Sequence, residues 1–157
     1  MDKQEQILTA FRDVFNKMAW LNEVKMKACL KAYKPSEVHC LEHIGKSSDP
    51  NVTKLAESSY MTRGALSKLT KKLMEKGLIE SYRKPDNKKE IYFKLSKQGQ
   101  QVFDTHEALH REFAARDHAV FEQLSEQQVR AVLSFMENYN HHLDAEITNL
   151  THPSTPD

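Results

Sequence analysis

Four glycines among 157 residues leave little material for a loop that cradles phosphate with bare backbone. No Gly-rich phosphate motif, nucleophile elbow or HExxH zinc-protease motif occurs anywhere in the chain. The two cysteines, Cys29 and Cys40, both stand inside helical patterns, which argues against a disulfide framework. No run of about 18 apolar residues exists to span a membrane. The N-terminal MDKQEQILTAFRDVF alternates charge with apolar residues and has no signal-peptide core, so a cytoplasmic protein is expected. With these signatures missing, an enzyme is not expected.

What is present is a soluble composition, 39% hydrophobic and 29% charged, with an uneven charge distribution. The formal net charge is +1, yet residues 63–94 carry ten Lys and Arg against four Asp and Glu, while residues 100–157 carry three against ten. Such segregation is the electrostatic footprint of a polyanion binder whose remaining surface is acidic.

The basic segment lies within residues 51–99. Leu55 and Ala56 mark a short apolar turn, and Thr62 is placed to cap a second helix with Leu66, Leu69 and Leu73 on one stripe. Gly77 stops that helix. Two strand-like runs, LIESYRK and EIYFKLS, follow on either side of Pro85-Asp86-Asn87-Lys88-Lys89, which reads as a cationic turn. Helix, turn, helix and basic hairpin is the pattern of a winged helix-turn-helix that reads DNA. Arg63, Gly64, Ser67, Lys68 and Lys71 share the helix face opposite the leucines, where short side chains beside long cations suit a major groove about 12 Å wide. Thr62, Lys72 and the hairpin cations Arg83, Lys84, Lys88 and Lys89 complete the expected DNA-contacting set. Charged residues that merely protect a sheet edge would look similar in the hairpin alone.

Around this reader the chain is helical. Residues 3–31 carry Ile7, Leu8, Phe11, Val14, Phe15, Met18, Met26 and Cys29 in one broad stripe. Pro35 opens a second helix with Val38, Leu41 and Ile44 inward and His39, Glu42 and His43 on the other side, where Glu42 and His43 could join a site but are expected at the surface. From Lys97 a long stripe runs through Val102, Phe103, Leu109, Phe113, Val120, Phe121 and Leu124. Ser125 and Gln128 form a capping box before a last helix with Val129, Val132, Leu133, Met136, Tyr139, Leu143 and Ile147 on its apolar face. The division expected is an N-terminal dimerisation helix at 1–34, a winged helix-turn-helix at 35–96, C-terminal dimerisation helices at 97–148 and a flexible tail at 149–157, in one structural unit overall. These long helices exceed what the small reader needs, so a homodimer on a pseudo-palindromic site is expected, with half-sites about one DNA turn apart.

His106 and His110 stand four apart within an apolar stripe, a spacing that puts both imidazoles on one side of a helix and within reach of one metal ion. Two ligands do not make a stable site, and Glu23 and His39 lie near the ends of elements expected to pack nearby. A buried polar network without metal would also satisfy these histidines.

The segments LAESSYMTRGALSKLTKKLMEKGLIES and RKPDNKKEIYFKLSKQG, with the long first helix and paired last helices, resemble the MarR family of transcriptional regulators over nearly the whole chain. The resemblance implies a mainly α fold with a small two- or three-stranded β-wing, dimerised through the first, fifth and sixth helices, with the fourth in the major groove. The family's wing often carries an Asp-x-Arg pair, where this chain has Asn87 and Lys89, and Lys89 lacks the guanidinium fork. Glu23, His39, His106 and His110 are also similar to the zinc ligands of the family's zinc-uptake repressors. Of a second subsite there, Cys29 matches, whereas Val38 and Thr105 stand at the acidic positions. The same positions, with LNEVKMKAC and SEVHCLEHIGK, resemble the fatty-acid-synthesis repressors, which implies an acyl or lipophilic effector instead of zinc. The expected function is therefore a DNA-binding regulator, a repressor, controlled by a small effector. The alternatives are a dimeric adaptor that does not bind DNA and a metal-dependent hydrolase using His106 and His110.

Overall fold

The structure, a computed structural model, describes residues 2–151. Its elements follow the capping chemistry of the sequence. Helix α1 (Lys3–Leu30) opens with a reciprocal box in which the Glu5 amide donates to Asp2 Oδ1 at 2.8 Å and the Asp2 amide donates to Glu5 Oε2 at 3.1 Å. Helix α2 (Pro35–Lys46) begins with proline at its first turn, where a missing N–H costs nothing. Helix α3 (Val52–Ser59) is capped by Asn51, whose Oδ1 accepts from the Lys54 amide at 2.9 Å. It ends where Tyr60 turns left-handed at φ 53°, and helix α4 (Arg63–Glu75) starts three residues later behind the cap of Thr62.

Gly77, at φ +72°, ends the helix-turn-helix, and the Leu78 amide reaches back to the Leu73 carbonyl at 3.0 Å. Strands β1 (Ile79–Lys84) and β2 (Asn87–Leu95) then form a two-stranded antiparallel sheet. The hairpin is tighter than the five-residue turn expected from sequence. Lys84 lies opposite Asn87, so only Pro85 and Asp86 turn the chain, and Asn87, Lys88 and Lys89 belong to β2. Proline presets the first turn residue, and the strand irregularity between Tyr82 and Lys84 absorbs the mismatch in register.

Helix α5 (Lys97–Glu122) is joined to the sheet by Ser96, whose hydroxyl donates to the Gly77 carbonyl at 2.6 Å and accepts from the Gly99 amide at 3.0 Å. Gly99 has no room for a side chain, because a Cβ there would stand 1.9 Å from the Leu78 carbonyl oxygen. Helix α6 (Glu126–Thr151) opens with the expected box. The Ser125 amide donates to Gln128 Oε1 at 2.8 Å, and the Gln128 amide to Ser125 Oγ at 3.1 Å. Residues 149–151, expected in the tail, are the end of this helix, while the rest of that tail lies outside the described residues.

The chain divides into two compact units, residues 1–113 and 114–157. In the first, Leu41, Leu55, Leu66, Leu73 and Leu78 are fully buried, joining α2, α3, α4 and the start of the wing around one core. Burial of each leucine is worth roughly 1.5–3 kcal/mol. Leu30, Val102, Leu109 and Phe113 extend this core to α1 and α5. Most of the N-terminal stripe is exposed among the described residues: Phe15 is 71% exposed and Val14 56%. In the second unit α6 buries no residue, and Leu133 is 57% exposed. No helix among the described residues is long and apolar enough to cross a membrane.

Candidate nucleic-acid interface and histidine cluster

Helix α4 turns its two faces to different surroundings because its leucines recur at helical spacing. Leu66, Thr70 and Leu73 are buried, whereas Arg63, Gly64, Ser67, Lys68 and Lys71 are all exposed. Thr62 holds the start of this face in place, its Oγ1 accepting from the Ala65 amide at 3.1 Å. Nothing lies within 4 Å of a Cβ built on Gly64, so the fold itself gives no reason for glycine there. An exposed glycine in a first helical turn leaves the backbone open to close approach by a ligand.

Lys72 sits apart from this face. It is half-buried, and its amine is held below its ordinary pKa first by contact with the Lys34 amine. It faces the junction of α2 and α4 at Glu37, a residue whose sequence context did not mark it as functional. Glu37 has no exposure, accepts the Lys34 amide at 3.1 Å and takes the Lys76 ammonium at 2.7 and 3.0 Å. Burial alone would raise this carboxyl, but the bonds from Lys76 and the Lys34 amide outweigh it and hold the pKa below its ordinary value.

The wing cations also divide. Lys88 and Lys89 are exposed at the start of β2, and Arg83 donates to the Lys88 carbonyl across the hairpin. Lys84 is instead ion-paired with Asp49 in the loop between α2 and α3. This geometry defines a winged helix-turn-helix with an exposed cationic face on its second helix.

Known proteins of that class match the chain. Residues 34–91 match the MarR family model. HTH-type transcriptional regulator PchR of Bacillus subtilis (strain 168) is 29% identical over 159 residues, covering 92% of each chain. Streptococcus pneumoniae FabT, solved in complex with DNA, superposes with a TM-score of 0.77 at 21% identity over 91% of this chain and 99% of that one. A putative MarR family regulator from Listeria monocytogenes complexed with 26mer DNA gives 0.70 at 15% identity, covering 96% and 97%. Over residues 34–91 the chain is thus similar to the MarR family, and over nearly its whole length to an HTH-type transcriptional regulator.

The second candidate site joins α2 to α5. His106 is 2% exposed, and its Nε2 stands 3.1 Å from Nε2 of the exposed His110. On the other side of its ring, Nδ1 has no hydrogen-bond partner among the described residues and lies 3.5 Å from Glu42 Oε2. Glu42, His106 and His110 each bring a donor atom within 4.8 Å of the others. The His39 ring lies edge-on to that of His106, with centroids 6.2 Å apart. Glu23, expected as a ligand, pairs with Lys27 at 2.7 Å on its own helix. The structure thus brings Glu42 to the imidazoles in place of Glu23, and Glu42 is partly buried there instead of lying on the open surface. Cys29 is exposed and Cys40 is buried.

The donor set fits a metal of the zinc type. Bonds of about 2.0–2.1 Å in tetrahedral geometry place two ligand nitrogens about 3.4 Å apart, a few tenths of an ångström from the spacing observed. Burial lowers the His106 pKa, with Glu42 opposing the shift, which favours the neutral ring that a metal requires. Without a metal the two rings can share one N–H···N bond if their tautomers differ. Lys46 ties the same place together, contacting Glu42 at 3.0 Å and Glu107 at 3.1 Å. A separate cavity of about 590 Å³ between the end of α1 and the start of α5 is lined by Cys29, Leu30, Tyr33, Lys97 and Thr105 among others.

Proposed function

We propose that this protein is a transcriptional repressor that binds a pseudo-palindromic operator as a homodimer and is controlled by a small effector. The observation that carries the DNA reading is the exposed face of α4, where Arg63, Lys68 and Lys71 surround Gly64 and Ser67 with the leucines all turned inward. Long cations reach the phosphates of both groove walls, and the short residues let the helix approach base edges. Lys88 and Lys89 extend the positive surface along the wing. Dimerisation accounts for the uncovered apolar surface on α1 and α6, which would otherwise face water.

The effector reading favoured by the geometry is zinc held by His106 and His110, with Glu42 as third ligand or as the carboxylate that orients His106. Helix α2 carries both Glu42, facing α5, and Glu37, bonded to Lys76 at the end of α4. A change at the histidines therefore has a short path to the recognition helix. It acts by stabilising one dimer state over another, since only differential affinity shifts DNA binding. An acyl or lipophilic effector is the second reading, supported by the cavity beside Cys29 and Tyr33.

Titration of tag-free protein with its own upstream DNA, with zinc and with a chelator, tests both layers. Specific binding that changes with zinc and loses that change in His106→Ala supports the account. Zinc-independent binding that responds to a long-chain acyl compound removes the metal reading, and absence of specific DNA binding removes the whole proposal.

A further inference from the structure

The loop between α2 and α3 is bonded to both strands of the wing. Asp49 adopts a left-handed backbone at φ 49°, and its Oδ1 accepts the Tyr82 hydroxyl at 2.7 Å. Its other carboxylate oxygen pairs with the Lys84 ammonium, and its carbonyl accepts from Lys54 Nζ at 3.3 Å. The carbonyl of the next residue, Pro50, accepts the Phe93 amide of β2 at 2.9 Å. Asn51 Nδ2 then donates to Glu90 Oε1 at 3.4 Å. Tyr82 stacks on Tyr92 with ring centroids 5.5 Å apart, and Lys84 lies 5.2 Å over the Tyr92 ring. The cation is therefore held from two sides. The Asp49 carboxyl is kept below its ordinary pKa by Lys84 first and Tyr82 second, as expected of a carboxylate that stays charged in this clamp.

We propose that Asp49 is a positioning residue for DNA recognition: it fixes the wing against the α2–α3 loop and holds Lys84 away from phosphate. The inference rests on the DNA-binding reading above and changes one part of it. Lys84, expected from sequence among the DNA-contacting cations, becomes a partly exposed strut between the wing and the α2–α3 loop. Arg83, Lys88 and Lys89 remain as the cations the wing offers to DNA. A wing held at a fixed angle adds to the discrimination between operator and other DNA, because its cations meet phosphate only where the groove has the matching width.

The test compares wild type with Lys84→Met, Lys88→Met, Asp49→Asn and the Asp49→Asn/Lys84→Met double variant. Asparagine tolerates the left-handed backbone and can still accept from Tyr82, so Asp49→Asn removes chiefly the charge. Affinity for operator and for random-sequence DNA is measured across a salt series. Removing a cation that neutralises one phosphate lowers the logarithmic salt slope by about 0.9. The expected result is a lower slope for Lys88→Met and an unchanged slope for Lys84→Met. Asp49→Asn and Lys84→Met should each reduce the operator-to-random ratio several-fold, and the double variant should be no worse than either. A slope that falls in Lys84→Met as in Lys88→Met, with Asp49→Asn indistinguishable from wild type, overturns the proposal. Amide hydrogen exchange without DNA separates this from failure of the DNA reading. Asp49→Asn should speed exchange across residues 87–93 relative to Leu66 and Leu73, and unchanged protection there contradicts the clamp whether or not DNA binds.

Discussion

The ammonium of Lys76, at the end of α4, lies 2.7 Å from one oxygen and 3.0 Å from the other of Glu37, a fully buried carboxylate on the first turn of α2. This pair fixes the far end of α4 to the helix that carries Glu42. A buried carboxylate of this kind is costly to leave without its partner.

Glu37→Gln should therefore destabilise the fold by about 1.5–3 kcal/mol at neutral pH, the range for hydrogen bonds to a charged group. Because the folded pKa of Glu37 lies below its ordinary value of 4.5, its contribution is complete above that pH. It is lost as the pH falls through the folded value. Urea unfolding of both proteins from pH 7 downward checks this: the gap between wild type and variant should close below about pH 4.5.

Gly64→Ala separates stability from recognition. The added methyl meets nothing in the fold, so the helix should gain roughly 0.5–1 kcal/mol from the reduced flexibility of the unfolded chain. The same methyl stands on the face assigned to the groove and should weaken operator binding. A higher melting temperature with lower DNA affinity is the expected pair of results. A gain in stability with unchanged affinity would place Gly64 outside the interface.

Sedimentation should give twice the mass of one chain at micromolar concentration. Phe15→Asp places a charge in the exposed apolar surface of α1 and should shift the protein toward the monomer. Operator affinity should fall with it, since half-sites are then bound independently. A variant that stays dimeric would move the interface away from Phe15.

The elements were legible in the sequence because their ends have local causes. Pro35, Thr62, Gly77 and Ser125 each act on the few residues beside them, so those helix boundaries can be read directly. The stripe of Leu66 and Leu73 is equally legible, since burial follows helical spacing. What escapes a sequence are acids whose roles depend on distant chain segments. Glu37 meets Lys76 across 39 residues, and Asp49 meets Lys84 across 35. Glu42 reaches His106 only because α2 packs beside α5. One local signal is present: Glu37 at the third position of a helix opened by Pro35 suggests a carboxylate bonded to the Lys34 amide. Nothing local distinguishes Lys84 from Lys88, although the fold pairs one with Asp49 and leaves the other exposed.

Fluorescence titration of the protein with its own upstream DNA over a series of salt concentrations measures the central claim most directly, with Lys71→Ala beside wild type. The account predicts a logarithmic slope equivalent to several phosphate contacts, falling by about 0.9 per contacting cation in the variant, together with weaker binding on every sequence. A flat salt dependence, or a wild-type slope unchanged by neutralising Lys71, would contradict the assignment of α4 as the DNA-reading helix.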